Sequence, residues 1–441
     1  MTENKEYPRV LVVSHNVFSP HSSMGKTLMN FFKGWDRECL AQLYLHTEIP
    51  TTHMCTKYYR VTDFENIKKR KKETGNIFGE KDIDETLSTE RADRGTQAKL
   101  YQYGRKRKPY MYVGRNMLWG LNKWDNSKLN KWIDEFDPEV IFFASGDYVF
   151  SYKIALRIAK RKNIPIVTYI CDDYYFLKQM SVSPLYWINR MQFSHTIKKL
   201  LQKNRQVVSI CDKITKDYGE EFNINAHTIM TSTSLKRKTI QPHNNPIKIS
   251  YLGNLGYKRY IPLTEIGRAL KKISYGKVLL DLYSTESRDE VLCYLTKDNG
   301  INFKGAVSYD KVIDIMHESD ILVHAESMDS LCREKVKYSV STKIADTMAC
   351  GTCLFAYGPE DVASIEYLKD NNCACVVTNK AQLESELLKL ITDEKLRIGY
   401  AENALQTAEK NHCIETNTEK FRKILLKAAS ENENTPSQLC L

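Results

Sequence analysis

The chain has 441 residues, 42% of them hydrophobic and 27% charged, which is enough to bury two or three separate cores and too apolar for disorder. A formal net charge of +11 points to an anionic partner, while the longest apolar runs, VIFFA and ILVHA among them, are far too short to span a bilayer. Residues 1–8 are polar and show no signal-peptide pattern, so the twelve cysteines read as reduced, buried thiols of a cytoplasmic protein rather than a disulfide framework.

The first predicted strand is VLVVSH, followed by SPHSSMGKTL and a helix over 25–34. Gly25-Lys26-Thr27 at that turn imitates a phosphate-binding P-loop, whose pattern needs an earlier glycine. Pro20 stands there instead; it fixes φ and has no N–H to offer a phosphate oxygen, which argues against nucleotide hydrolysis. What remains is a glycine that leaves room for a ligand, and a helix start that attracts negative charge. LAQLYLH, VIFFAS, IPIVTYI and VVSI follow as buried strands, with helices over 126–135, 148–161 and 185–203. Such alternation predicts a parallel sheet covered on both faces.

Residues 73–124 interrupt the alternation as an irregular, basic insertion. KKRKK (68–72) and RKRK (105–108) bracket a stretch ending in PYMYVGRNMLWGLNKW. Basic residues beside Tyr110, Tyr112, Trp119 and Trp124 suit an anionic membrane surface, where aromatic rings enter the headgroup layer. A solvated loop face is the plain alternative. No zinc-finger, RNP or KH pattern supports nucleic acid.

A linker is predicted over 231–246, where STSLKRKTIQPHNNP has no apolar period. The alternation then restarts: IKISYLG, a helix over 261–273, VLLDLYS, a helix over 286–297, INFKG, a helix over 308–317, DILVHA, a helix over 342–350, and CLFAYG. The expected fold is therefore α/β, two doubly wound Rossmann-like domains over 1–230 and 247–413. Residues 414–441 form a C-terminal helix and tail that pack back on the first domain. Ligands in such sheets bind outside the carboxyl ends of the strands, so a cleft between the domains is the expected site.

The segment STKIADTMACGTCLFAYGPEDVASIEYL (341–368) carries the most chemistry. Ser341 or Thr342 is a natural N-cap, Lys343 lies in the first helical turn, and Asp346 shares its face. A lysine at a helix start suits a diphosphate, and a carboxylate one turn deeper suits ribose hydroxyls; a capped helix with a surface ion pair is the alternative. Cys350 and Cys353 span a helix end and a strand start, the reverse of a redox CxxC. Cys373 and Cys375 read as core, and no metal-ligand spacing is present. Asp172 and Asp173 end the strand IPIVTYI, and His15, His21 and His324 also lie near strand ends.

On these residues the chain resembles the GT-B glycosyltransferases, the retaining, family-4-like enzymes of polysaccharide and glycolipid assembly. STKIADTMACGTCLFAYGPED resembles their donor-binding segment, and ISYLGNLGYKRYIPLTEIGRAL (249–270) their phosphate-contacting loop. INFKGAVSYDKVIDIMHESDILVHAES and VLVVSHNVFSPHSSMGKTL match the run into the donor pocket and the first glycine loop. The resemblance implies transfer of a hexose-type sugar from a nucleotide-diphosphate donor to a glycan or lipid-linked hydroxyl, with retention and without a metal or other cofactor. The first domain would hold the acceptor and the second the donor, at the inner membrane face. It places Gly25, Gly253, Asn254, Lys258, Arg259, Ser341, Thr342, Lys343 and Asp346 at the donor, with Lys343 and Arg259 neutralising the leaving diphosphate. Asp346 falls where the second glutamate of the family's E-x7-E pattern stands; Tyr338 occupies the first, and Glu326 is the substitute. Asp172 or Asp173 would bind the acceptor or handle its proton. The alternatives are a sugar-nucleotide epimerase or hydrolase of the same fold, and a non-catalytic membrane-binding module.

Overall fold

The apolar runs form the strands of two separate sheets in a computed structural model that describes residues 6–68, 74–83, 85, 108–177, 180–237 and 244–433. The chain divides into two compact units, Met1–Met230 with Ile414–Leu441, and Thr231–Cys413. Each is a doubly wound α/β layer structure, with strands alternating with helices along the sequence.

Unit 1 contains β1 (Val10–Ser14), β2 (Leu40–Tyr44), β3 (Lys57–Arg60), β4 (Asn76–Phe78), β5 (Val140–Ala144), β6 (Ile166–Ile170), β7 (Gln206–Ser209) and β8 (Asn225–Thr228). They pair in the order β4-β3-β2-β1-β5-β6-β7-β8. Every pair is parallel except β3 with β4. Unit 2 contains β9 (Ile249–Leu252), β10 (Leu280–Tyr283), β11 (Ile301–Gly305), β12 (Ile321–Ala325), β13 (Cys353–Tyr357) and β14 (Cys375–Val377). Their order is β11-β10-β9-β12-β13-β14, all parallel. In both sheets the chain winds outward from its first strand and then returns to that strand's other side. This creates a switch point between β1 and β5 and another between β9 and β12.

Local chemistry explains the elements. Helix Ser127–Phe136 buries Leu129, Trp132, Ile133 and Phe136, the spacing of one helical face. The Asn126 side chain accepts from the Leu129 N–H at 3.0 Å, and Asp137, at φ 50°, ends the helix in the left-handed conformation that Asp and Asn tolerate.

Several sequence expectations need correction. The short strands β3, β4 and β8 escape the pattern because each spans only three or four residues. The helix expected over 286–297 shrinks to Asp289–Leu292. The Thr296 side chain starts a separate turn by accepting from the Asn299 N–H, so a local side-chain bond outcompetes helix continuation. Residues 73–124 are not irregular throughout, since they contain β4 and helix Pro109–Gly120.

That helix turns its aromatic residues inward. Trp119 stacks on Phe150 with ring centroids 4.3 Å apart, and its Nε1 donates to Asp63 at 2.6 Å. Trp124 is buried, and Tyr112 donates to Asp147 at 3.0 Å. Of the aromatics expected at a lipid surface, Trp119 and Trp124 are therefore core residues, and Tyr110 is the exposed one. Positions 69–72 and 105–107 of the basic runs, and 238–243 of the linker, lie outside the described residues. The start of the linker is tied down: Thr233 donates to Asp346 and receives a backbone pairing from Cys413. Among the described residues no disulfide is formed, and no helix is long and apolar enough to cross a membrane.

The C-terminal helix Ile414–Glu433 belongs to the core of unit 1. Phe421 is fully buried and meets Phe31, Phe142 and Phe32 at ring-centroid distances of 4.7, 4.9 and 5.1 Å. Phe421→Ala should lower the unfolding free energy of unit 1 by about 3–5 kcal/mol, the usual range for emptying a packed aromatic site. Denaturant titration followed by tryptophan fluorescence measures it. A loss below about 1 kcal/mol would mean the helix lies outside that cooperative core.

Candidate functional site

Beyond the carboxyl ends of β9 and β12 lie two loops, 253–259 and 326–342, at the switch point of unit 2 where open α/β sheets take ligands. The first loop is tightly built. Tyr251 tucks its ring beneath it and donates to the Asn254 carbonyl at 2.8 Å. A Cβ at Gly253 would lie 2.7 Å from the Tyr251 hydroxyl oxygen, so the glycine is required by this internal packing. Asn254 Oδ1 accepts from the Gly256 N–H at 3.2 Å and from Arg259 Nη1 at 3.0 Å. Tyr257 and Lys258 follow at φ 54° and 56°. Two consecutive non-glycine residues in the left-handed region store strain of order 1–3 kcal/mol each, the kind of strain that clusters at ligand sites. That turn delivers Arg259 to the head of helix Tyr260–Ile273.

Arg259 is held by Glu326, the residue immediately after β12. Its Nε and Nη2 donate to the two carboxylate oxygens at 3.0 and 2.9 Å. The carboxylate side chain is 3% exposed and the arginine side chain 15%. Burial alone would lower the arginine pKa, but the Glu326 charge more than offsets it and leaves it raised. The planar fork of Arg259, expected at the diphosphate, is thus occupied by Glu326, and both oxygens of Glu326, expected at the donor as the substitute glutamate, are engaged by Arg259. In this structure the pair fixes the position of a guanidinium at the sheet edge. His324, on β12, bonds to Ser364 Oγ at 3.0 Å and lies 3.6 Å from Glu326. Burial lowers its pKa despite that carboxylate, so it is neutral at neutral pH.

Lys343 approaches the same edge from the far side of the second loop. Its side chain is partly exposed, and its Nζ donates to the Leu252 carbonyl, the last residue of β9, at 3.1 Å. Partial desolvation of that ammonium, and then the Arg259 charge, lower its pKa; Asp346 opposes them. Two cations therefore converge on the end of β9. Lys258 is turned away onto Asp329 at 2.7 Å, which raises the lysine pKa and holds the aspartate at about 2. Thr342 occupies the N-cap position of helix Lys343–Ala349 without a side-chain cap bond, and the Ser341 carbonyl accepts from the Ile344 N–H. The expected hydroxyl cap is missing because the Thr342 backbone is already helical at φ −59°, ψ −22°, which aims its side chain away from the free N–H groups. Asp346 accepts from Thr233 at 2.5 Å, a linker contact.

Gly25, Asp172 and Asp173 belong to unit 1. Gly25 is buried in the first turn of helix Ser23–Phe31, and its N–H donates to the capping Ser22 side chain at 3.0 Å. A Cβ there would meet the Ser19 carbonyl oxygen at 2.6 Å, so the space the glycine opens is filled by its own loop. Asp173 accepts from the Tyr218 hydroxyl at 2.7 Å and from the backbone N–H groups of Tyr175 and Phe176 at 2.9 Å. That is the bonding of a strand-end turn. The Cys171 thiol lies 3.9 Å from Asp172.

Asp329 and Thr233 escaped sequence reading. Asp329 caps helix Ser330–Val336 by accepting from the Cys332 N–H at 3.1 Å, a role its spacing in SMDSLC could have signalled. Thr233 carried no such signal. Beside Asp329 opens a hollow of about 440 Å³ lined by Ile261, Pro262, Glu265, Met328 and Tyr357, roomy enough for a group of sugar or nucleoside size.

Residues 269–423 match a family model described as glycosyl transferase-like. An uncharacterized glycosyltransferase of Methanocaldococcus jannaschii is 25% identical over 261 residues, which are 53% of this chain and 61% of that relative. The matched region thus spans less than two thirds of the relative's length. Among solved structures, a glycosyltransferase from Rickettsia africae superposes with a TM-score of 0.57 at 13% identity, covering 97% of this chain and 98% of the other. Anabaena HepE, solved in complex with UDP, gives a TM-score of 0.58 at 11% identity over 95% of this chain and 100% of its own. The two switch-point sheets and these likenesses agree on the GT-B fold, and residues 269–423 are similar to glycosyltransferases.

Proposed function

We propose that the chain transfers a sugar from a nucleotide-diphosphate donor to a hydroxyl of a glycan or lipid-linked acceptor, and that unit 2 binds the donor. The observation that carries this reading is the convergence of the Lys343 ammonium and the Arg259 guanidinium on the carboxyl end of β9. Two positive groups held near one another, with a single buried carboxylate between them and neutrality, form a site for a dianionic diphosphate. A UDP-type ligand, such as the one in the Anabaena structure, presents such a group.

Breaking the anomeric C–O bond leaves an oxocarbenium-like sugar while negative charge builds on the departing diphosphate. Lys343 stabilises that charge through Nζ, which exchanges the Leu252 carbonyl for a phosphate oxygen. Arg259 stays on Glu326 and contributes its charge and the N–H bonds that Glu326 leaves over. Its role is electrostatic and does not require the bidentate grip. The acceptor hydroxyl then bonds to the anomeric carbon, and its proton leaves with the diphosphate or to a nearby base. Retention of the anomeric configuration, independence of metal, and a role for Asp172 at the acceptor belong to the same proposal.

Lys343→Ala should leave the protein folded, weaken donor binding roughly 10- to 100-fold, the loss of one charge-assisted bond, and reduce transfer further still. Calorimetry and a labelled-donor transfer assay measure the two effects, and a fully active Lys343→Ala enzyme would end the proposal. The pH dependence follows from the lowered lysine pKa. Donor affinity depends on the charged ammonium, so it is complete below that pKa and declines as the pH rises through it. The decline should begin at a lower pH than an ordinary lysine would give, and Lys343→Arg should push it to higher pH. Identical alkaline profiles for both proteins would remove Lys343 from the donor site.

A further inference from the structure

We propose that unit 1 docks on an anionic lipid surface through an apolar face formed by helices Pro109–Gly120 and Pro184–Lys203, neither of which carries an acidic residue, with the turn before the second. This inference does not depend on the donor reading. The aromatics expected at such a surface, Trp119 and Trp124, are buried; a different set of side chains faces outward. Met117 is 71% exposed and Leu121 63%, and they continue the line of the exposed Tyr110 along one helical face. Met180, Val182 and Met191 are 89%, 104% and 65% exposed, and Trp187 is half-exposed, with its indole N–H donating to the Ser181 carbonyl at 2.8 Å. Single exposed apolar residues need no explanation, but this many on two neighbouring helices do. The helices are joined side by side, with Asn116 Nδ2 donating to Asn189 Oδ1 at 2.9 Å.

Charge identifies the occupant. The sequence has no Asp or Glu between Asp93 and Asp125, nor between Asp173 and Asp212, so neither helix carries a carboxylate of its own. The acids that reach them from other elements, Asp63, Asp147 and Glu221, are engaged by Arg115 and Trp119, by Tyr112, and by Tyr175. Lys108 stands at the N-cap of the first helix, while Lys198, Lys199 and Lys203 lie along the second. An apolar stripe with lysines along its helices matches the boundary between anionic headgroups and acyl chains. A second copy of the chain fits less well, because a two-fold contact would set like charges against each other. Nucleic acid fits less well too: Met, Val and Leu offer its bases no stacking platform. The attachment is peripheral, since no described helix is fit to span the bilayer.

Co-sedimentation of the full chain with vesicles of phosphatidylcholine alone, and of phosphatidylcholine mixed with phosphatidylglycerol, tests the proposal. Binding to the mixed vesicles is expected, weakened by salt, with little binding to the neutral ones. The combined variant Met117→Ser, Leu121→Ser, Val182→Ser, Met191→Ser should lose at least about tenfold in partition. Its thermal unfolding and its circular dichroism should match the parent, because the four side chains are exposed. Wild-type protein that ignores mixed vesicles, or a folded variant that binds them equally, overturns the proposal. So does a concentration-dependent dimer, or retention by single-stranded RNA, that the four serines abolish while vesicle binding persists.

Discussion

The buried ion pair between Arg259 and Glu326 is the constraint around which the site in unit 2 is arranged. A carboxylate 3% exposed is costly to bury without a partner, and removing one partner of such a pair typically destabilises a protein by about 3–5 kcal/mol. The pair therefore locks the end of β12 to the loop after β9, the two strands that flank the switch point. Asn254 extends the lock by accepting from the guanidinium and from the Gly256 N–H. The strained turn at Tyr257 and Lys258 persists because both of its ends are held in this way.

That lock also sets the electrostatics of Lys343. Partial burial of the ammonium lowers its pKa first, and the Arg259 charge that the lock holds nearby lowers it further. A lysine whose charge is disfavoured in the empty site gains more from an incoming anion than a fully solvated one does, because its hydration has already been partly given up. On the proposed donor reading, the Leu252 carbonyl at 3.1 Å is the contact an anionic oxygen would replace. Preorganisation here means that the cations are assembled by β9 and β12 before the ligand arrives, so little reorganisation is left for the moment of binding.

The sheets were legible because parallel strands buried on both faces are nearly continuous apolar runs, and VLVVS, VIFFA and CLFAY are unambiguous in that respect. Lys343 and Arg259 were legible as strand-end cations for the same topological reason. Pairing was not legible. Nothing in the spacing of Glu326 and Arg259 reveals that each occupies the other, since they meet only through the β9–β12 register. The direction of the aromatics in PYMYVGRNMLWGLNKW was hidden too. Trp119 and Met117 are two residues apart, and only the helix phase, fixed by stacking on Phe150, decides which of them goes inside. Gly25 shows the limit from the other side: the need for a small residue was plain, but its cause is the neighbouring Ser19 and Ser22.

The return of helix Ile414–Glu433 to unit 1 has a kinetic consequence. Its Phe421 completes an aromatic cluster with Phe31, Phe32 and Phe142, residues separated from it by the whole of unit 2. During synthesis the sheet of unit 1 emerges before unit 2, with an apolar face that lacks this covering element until Ile414–Glu433 is made. Unit 2, a single continuous segment Thr231–Cys413, has no such dependence on a distant segment to complete its core. Loop-closure entropy rises only slowly with length, so the long separation costs little in stability, but non-local closure delays folding. Unit 2 can therefore fold as a self-contained insert, and its folded form shortens the effective gap across which the C-terminal helix must search for its place on the first sheet.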